Sequence, residues 1–187
     1  TSGISTFYPK DKCVARAYNL VERGRCFVLE IINKSIIIID NPYGILTNEP
    51  NFKFHLENMK YYETINNQII NYKGTQMLGL PGDNSSKSRF IRAYYTNKYF
   101  IFNENNISEI FNIFNNVFEI NGLSKINDNS YYKTIYLSIY DSISKICFIK
   151  SYNSSNIIKV NLLDFNLEGF YLISNSIYFK EQFIEIK

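Results

Sequence analysis

The residues Gly44-Ile45-Leu46-Thr47-Asn48-Glu49-Pro50-Asn51-Phe52 carry an apolar run out of one turn and into a polar one. Asn41, Pro42 and Gly44 form the first turn, and Ile45-Leu46-Thr47 reads as the end of a buried strand. Asn48 then sets an amide side chain at the strand's mouth, a common place for ligand contacts. Beyond it, Phe52, Leu56 and Met59 recur at helical spacing. Upstream, residues 25–32 and 35–40 are apolar runs about an Asn33-Lys34 turn, and their near-continuous hydrophobicity predicts strands covered on both faces. Further back, residues 4–7 and 13–18 flank Pro9-Lys10-Asp11-Lys12 and read as a short hairpin.

Downstream, residues 66–74 are polar and loop-like. Gly79-Leu80-Pro81-Gly82-Asp83 is the strongest backbone punctuation in the chain. It precedes a helix over 87–98, whose open donors the cluster from Asp83 to Ser86 can cap. A second helix is expected over 108–120, with Gly122 placed to stop it in a left-handed conformation. From Asn129 onward the pattern turns strand-like, over 133–140, 146–152, 157–162, 170–173 and 177–184. No internal repeat or linker-like shift interrupts the chain, so residues 1–187 read as one α+β domain.

Composition narrows the classes. The chain has 187 residues, 45% hydrophobic and 20% charged, which suits a single cored domain and excludes a disordered one. A net charge of +3 gives no reason to expect a nucleic acid or a membrane surface as partner. The apolar runs are far shorter than the ~18 residues of a membrane span, and no signal-peptide pattern opens the chain. Ile, Asn, Lys, Tyr and Phe abound while alanine occurs only at Ala15, Ala17 and Ala93, the profile of an AT-rich genome choosing among tolerated residues.

Read without any family in view, the chemistry is sparse. Cys13, Cys26 and Cys147 are scattered, with one histidine, His55, to join them, so neither a zinc site nor a disulfide framework is expected. The expected setting is a reducing, cytoplasmic one. His55 reads as a half-buried or surface histidine rather than a catalyst, and Cys26 and Cys147 as small apolar residues within strands. No nucleotide-binding or calcium-loop motif is present, and no metal or cofactor is expected. Arg89 and Arg92 stand three positions apart on one face of a helix, in its first turns. Cations there oppose the helix dipole, so they answer some negative charge, either a neighbouring carboxylate or a ligand.

Two stretches resemble the choloylglycine hydrolase family, which includes conjugated bile salt hydrolases and penicillin V acylases. They are residues 44–52, quoted above, and Gly79-Leu80-Pro81-Gly82-Asp83-Asn84-Ser85-Ser86-Lys87-Ser88-Arg89-Phe90-Ile91-Arg92-Ala93. From about Gly24 onward the chain resembles the family's C-terminal part. Its first twenty residues resemble the mature N-terminus, with Ala15-Arg16-Ala17-Tyr18-Asn19 in the place of the family's Ala/Gly-Arg-x-x-Asp motif. Between Leu20 and Gly24 the chain passes over the family's large middle segment, which carries part of the substrate pocket and one residue of the oxyanion hole.

The resemblance implies an N-terminal-nucleophile hydrolase fold, an αββα sandwich reduced by the missing middle segment. It implies a bacterial enzyme cutting linear amides by nucleophilic catalysis, with an N-terminal cysteine expected just before Thr1. Thr1 itself is one residue out of step with Arg16, and a one-residue slip in a strand turns a side chain to the opposite face. By resemblance, Arg16 supports the thiolate, Asn19 stands where an aspartate orients the α-amine, Asn48 donates to the oxyanion or substrate, and Arg89 borders the site. The implied partner is a small-molecule amide, a conjugated bile salt or a penicillin, and the implied assembly a homotetramer. An inactive member that keeps part of the fold to bind a ligand or serve as structure is the alternative, favoured by Asn19 and by the absent cysteine and middle segment.

Overall fold

The computed structural model describes residues 17–22, 25–63, 69–70, 76–100, 106–141 and 143–165. The chain divides into two compact units, Thr1–Val117 and Phe118–Lys187. The first unit holds a three-stranded antiparallel meander of β1 (Ala17–Glu22), β2 (Arg25–Ile32) and β3 (Ser35–Asp40), in that order. In register, Asn19 lies opposite Val28, and Ile39 lies opposite Val28 on the other side. The β2–β3 turn falls at Asn33-Lys34, as expected, with φ of 49° and 66°. Positive φ at both positions gives the turn a twist that matches the strands it joins. β1 runs on to Glu22 and closes a hairpin onto β2, where the sequence reading ended a strand at Tyr18; the earlier strand, 4–7, lies outside the described residues.

Only one face of this sheet meets a core among the described residues. Val28 is fully buried in a cluster with Ile45, Leu46, Phe52, Met59, Phe90, Ile91, Ala93 and Tyr95. On the opposite face Ile36 and Ile38 are 66% and 64% exposed, which corrects the expectation of strands covered on both faces. Continuous hydrophobicity misleads in this chain because isoleucine is abundant in every setting, so a run of it carries less information about burial than usual.

Helix α1 (Phe52–Tyr62) begins at Asn51, whose side chain accepts from the Phe54 N–H. Its first N–H, on Phe52, is taken by the Glu30 carboxylate at 2.7 Å. Glu30 is buried, and its presence in the apolar strand β2 is explained by this bond and by the positive end of the helix it meets. β4 (Ile69–Ile70) pairs with β5 (Gln76–Met77), so part of the stretch expected to be loop forms a small ladder. Helix α2 (Ser86–Tyr99) follows a Ser85 cap, close to the expected bounds. Helix α3 (Ile107–Asn115) ends five residues before the expected stop. The Asn116 and Val117 N–H groups turn to the carbonyls of Ile113 and Phe114, three residues back, which tightens and ends the helix. Gly122 does have positive φ, at 101°, but it serves the turn after the helix rather than its cap.

In the second unit, β6 (Ser124–Asn127) and β7 (Ser130–Tyr132) form a hairpin not foreseen in the sequence. β8 (Tyr136–Asp141), β9 (Ile146–Ser151) and β10 (Ile157–Asn161) form an antiparallel sheet ordered β10-β9-β8, ending in a 3-10 turn at Leu162–Asp164. These three strands match expectation; the two expected beyond residue 165 lie outside the described residues. Helices and antiparallel sheets together meet the α+β expectation. No helix among the described residues is long and apolar enough to cross a membrane.

Candidate active site

The polar mouth at Asn48 is built by side chains that replace strand pairing. Asn41, itself buried, donates its N–H to the Cys26 carbonyl at 2.7 Å, accepts from Gly44 N–H at 3.0 Å and donates from Nδ2 to the Ile45 carbonyl at 3.1 Å. Gly44 takes φ +65°, a conformation that disfavours a side chain. Ile45, Leu46 and Thr47 are buried but form no ladder, which corrects the expected strand. Instead, Asn41 holds the Ile45 carbonyl and His55 holds that of Asn48. Asn48 is exposed, and its carbonyl accepts from His55 Nε2 at 3.1 Å.

His55 is fully buried, not half-buried or on the surface as its sequence context suggested. Its ring stacks on Phe90 of α2 at 4.9 Å, nearly parallel. Burial pushes its pKa below the ordinary histidine value, against the opposing pull of the Asn48 and Pro50 carbonyls. Thr47 completes the link: its hydroxyl lies 3.4 Å from His55 Nε2 and donates to the Ser86 carbonyl at 3.2 Å. Asn48 and the turn of α2 that carries Arg89 are therefore tied to one small network.

The start of α2 is equally bound. The Asp83 carboxylate accepts from Ser85 N–H at 2.8 Å and from Ser88 Oγ at 2.6 Å. The Ser85 and Ser88 bonds hold that carboxyl well below the usual range. Arg92 spreads its guanidinium over the carbonyls of Pro81, Asp83 and Asn116 at 2.9, 2.5 and 2.7 Å. It answers partial negative charge on carbonyls, where the sequence left a carboxylate or a ligand open. Arg89 is half-buried, with Nε inside the protein.

Of the sequence-named site residues, Asn48 and Arg89 are thus brought to neighbouring segments. Asn19 stands on β1 opposite Val28, with its side chain outside the described residues, and Arg16 lies outside them altogether. His55 is what the sequence reading missed; its i, i+3 and i+7 place among Phe52, His55 and Met59 was the available signal. Cys147 is buried with its thiol pushed up by burial, the opposite of an activated nucleophile. Among the described residues no group of three side chains could hold a metal. The arrangement sets an exposed amide-bearing residue, Asn48, on a segment bonded through Thr47 to the first turn of α2, which carries the half-buried Arg89.

Similar proteins identify the family. Residues 14–176 match the sequence profile of the linear amide C-N hydrolases of the choloylglycine hydrolase family. A bile salt hydrolase/transferase of Lactiplantibacillus plantarum is 32% identical over 182 residues, covering 89% of this chain and 56% of its own. A mutant conjugated bile acid hydrolase from Clostridium perfringens superimposes with a TM-score of 0.72 at 25% identity, over 87% of this chain and 54% of that one. Penicillin V acylase from Agrobacterium tumefaciens shares the fold, with a TM-score of 0.60 at 23% identity over 75% of this chain and 43% of its own. The chain spans about half the length of these relatives. Their shared architecture is the N-terminal-nucleophile hydrolase fold, and this chain belongs to the choloylglycine hydrolase family.

Proposed function

We propose that this chain forms part of a hydrolase that cuts a linear amide of the conjugated bile salt or penicillin V type. The observation that carries the proposal is the mouth itself: an exposed Asn48 with its backbone locked, beside the helix turn of Arg89. The nucleophile is a cysteine placed just before Thr1 in the complete protein. Its thiolate attacks the amide carbonyl and forms a C–S bond while the C–N bond breaks. The amine leaves with the proton passed on by the cysteine's own α-amino group, and water then releases the acid and restores the thiol. Arg16 supports the thiolate, Asn48 donates to the oxyanion and Arg89 borders the acyl site. The substrate partner is a small amide, the assembly a homotetramer, and the organisation a single hydrolase-like domain over 1–187 with its N-terminal portion at 1–20.

Asn19 favours a second reading, an inactive relative that binds ligand or serves structure. A neutral amide accepts a hydrogen bond from the α-amine, but it lacks the charge with which a carboxylate stabilises an ammonium. One experiment separates the two. The complete natural protein, with its N-terminus sequenced, is given a taurine- or glycine-conjugated bile salt and, separately, penicillin V, and the released amine is measured. Hydrolysis abolished by a thiol-alkylating reagent supports the enzyme. Ligand binding without amine release supports the inactive relative.

A further inference from the structure

The ring of His55 has two nitrogens in unlike settings. Nε2 faces the Asn48 carbonyl and the Thr47 hydroxyl, whereas Nδ1 is buried with no hydrogen-bond partner. Because the Thr47 hydroxyl already donates to the Ser86 carbonyl, it presents a lone pair to Nε2. Both neighbours are satisfied only if Nε2 carries the proton. Phe90 lies under the ring and Phe54 meets it edge-on at 5.9 Å, so the imidazole has little room to turn. Of the charged residues near it in the fold, Lys53 and Glu57 on α1 and Glu49 on the turn are exposed. Arg89 adjoins Phe90 on α2, and the buried Glu30 of β2 is engaged by the Phe52 N–H at the start of α1.

We propose that His55 is a positioning residue for the amide-binding mouth: its Nε2–H fixes the Asn48 carbonyl and, through Thr47 and Ser86, registers Asn48 against the turn of α2 that bears Arg89. The proposal rests on the reading of Asn48 and Arg89 as site residues. It gives a histidine a place in the reaction without proton transfer to substrate. A second proton would have to sit on Nδ1, which makes no hydrogen bond although the Pro50 carbonyl pulls on the ring, so the link holds in the neutral form.

The chain has a single histidine, so its ring nitrogens give one unambiguous signal in a nitrogen-15 spectrum. Near pH 7.5 the expected pattern is a protonated Nε2 and a bare Nδ1. As pH falls, the amide signals of Glu49 and Lys87, which share peptide groups with the Asn48 and Ser86 carbonyls, should move with the histidine's own midpoint. His55→Gln keeps a donor near the Nε2 position and should retain the Glu49 signal; His55→Phe should shift it. In the complete protein acting on a conjugated bile salt, His55→Phe should lower kcat about ten- to a hundredfold with little change in KM, and His55→Gln should recover most of it. An Nδ1–H tautomer, a Glu49 amide indifferent to the titration, or a His55→Phe variant with unchanged kcat would overturn the proposal. If the unaltered protein releases no amine, the hydrolase reading falls, and the wild-type spectra alone decide whether His55 fixes the mouth.

Discussion

Asn48 is exposed while its own carbonyl is held by His55, so its backbone is fixed at a solvent-facing position. On its proposed role as an oxyanion donor, Asn48→Ala in the complete protein should lower kcat by about a hundredfold, with KM much less affected. Glu30 makes the opposite use of polarity, spending a buried carboxylate on one helix N–H. Glu30→Ala should destabilise the chain by about 1–3 kcal/mol, measured by urea unfolding, because the Phe52 donor is left buried and unmet. His55 adds a pH signature. Its folded pKa lies below the unfolded value, so stability is full above about pH 6.5 and falls as acid protonates the unfolded chain first. The unfolding midpoint should decline between pH 7 and 5, and His55→Gln should flatten that stretch. The lowered carboxyls of Asp83 and Asp141 act in a separate window, below the ordinary carboxylate range. The turns that carry Asn48 and Arg89 were legible in the sequence because glycine, proline and capping residues mark them. The burial of His55 was not, because it depends on Phe90 and on a carbonyl seven residues away.

At the scale of elements, turns were the most legible. Asn33-Lys34, the Ser85 cap and the strands β2, β3, β8, β9 and β10 all announce themselves through local chemistry. What failed to show were features decided by side chains from elsewhere: the unpaired run Ile45–Thr47, whose partners are Asn41 and His55, and the end of α3, where Arg92 takes the Asn116 carbonyl. The β2–β3 turn carries a testable imperfection. Lys34 sits at φ 66°, where a side chain costs about 1 kcal/mol that glycine does not. Lys34→Gly should therefore raise the melting temperature by about 2–4 °C in a thermal scan.

For the whole molecule, the exposed face of β3 matters more than any one contact. Ile36 and Ile38 present apolar surface on β3, an edge of its sheet among the described residues, and such edges recruit other chains. Sedimentation should show concentration-dependent association, reduced in an Ile36→Thr, Ile38→Thr double variant; threonine keeps the strand preference, so folding should be little changed. A double variant that associates as strongly as the parent would place the contact elsewhere. Arg92 bears on how this sequence can change with time. The chain keeps only five arginines among its twenty basic residues, as expected where base composition presses arginine codons toward lysine. At most positions that exchange costs little. A lysine at 92 would bring one ammonium to three carbonyls that a planar, multiply donating guanidinium now spans. Position 92 is thus one at which a change to lysine meets a geometric barrier, because the structure there uses the shape of the arginine's charge rather than the charge itself.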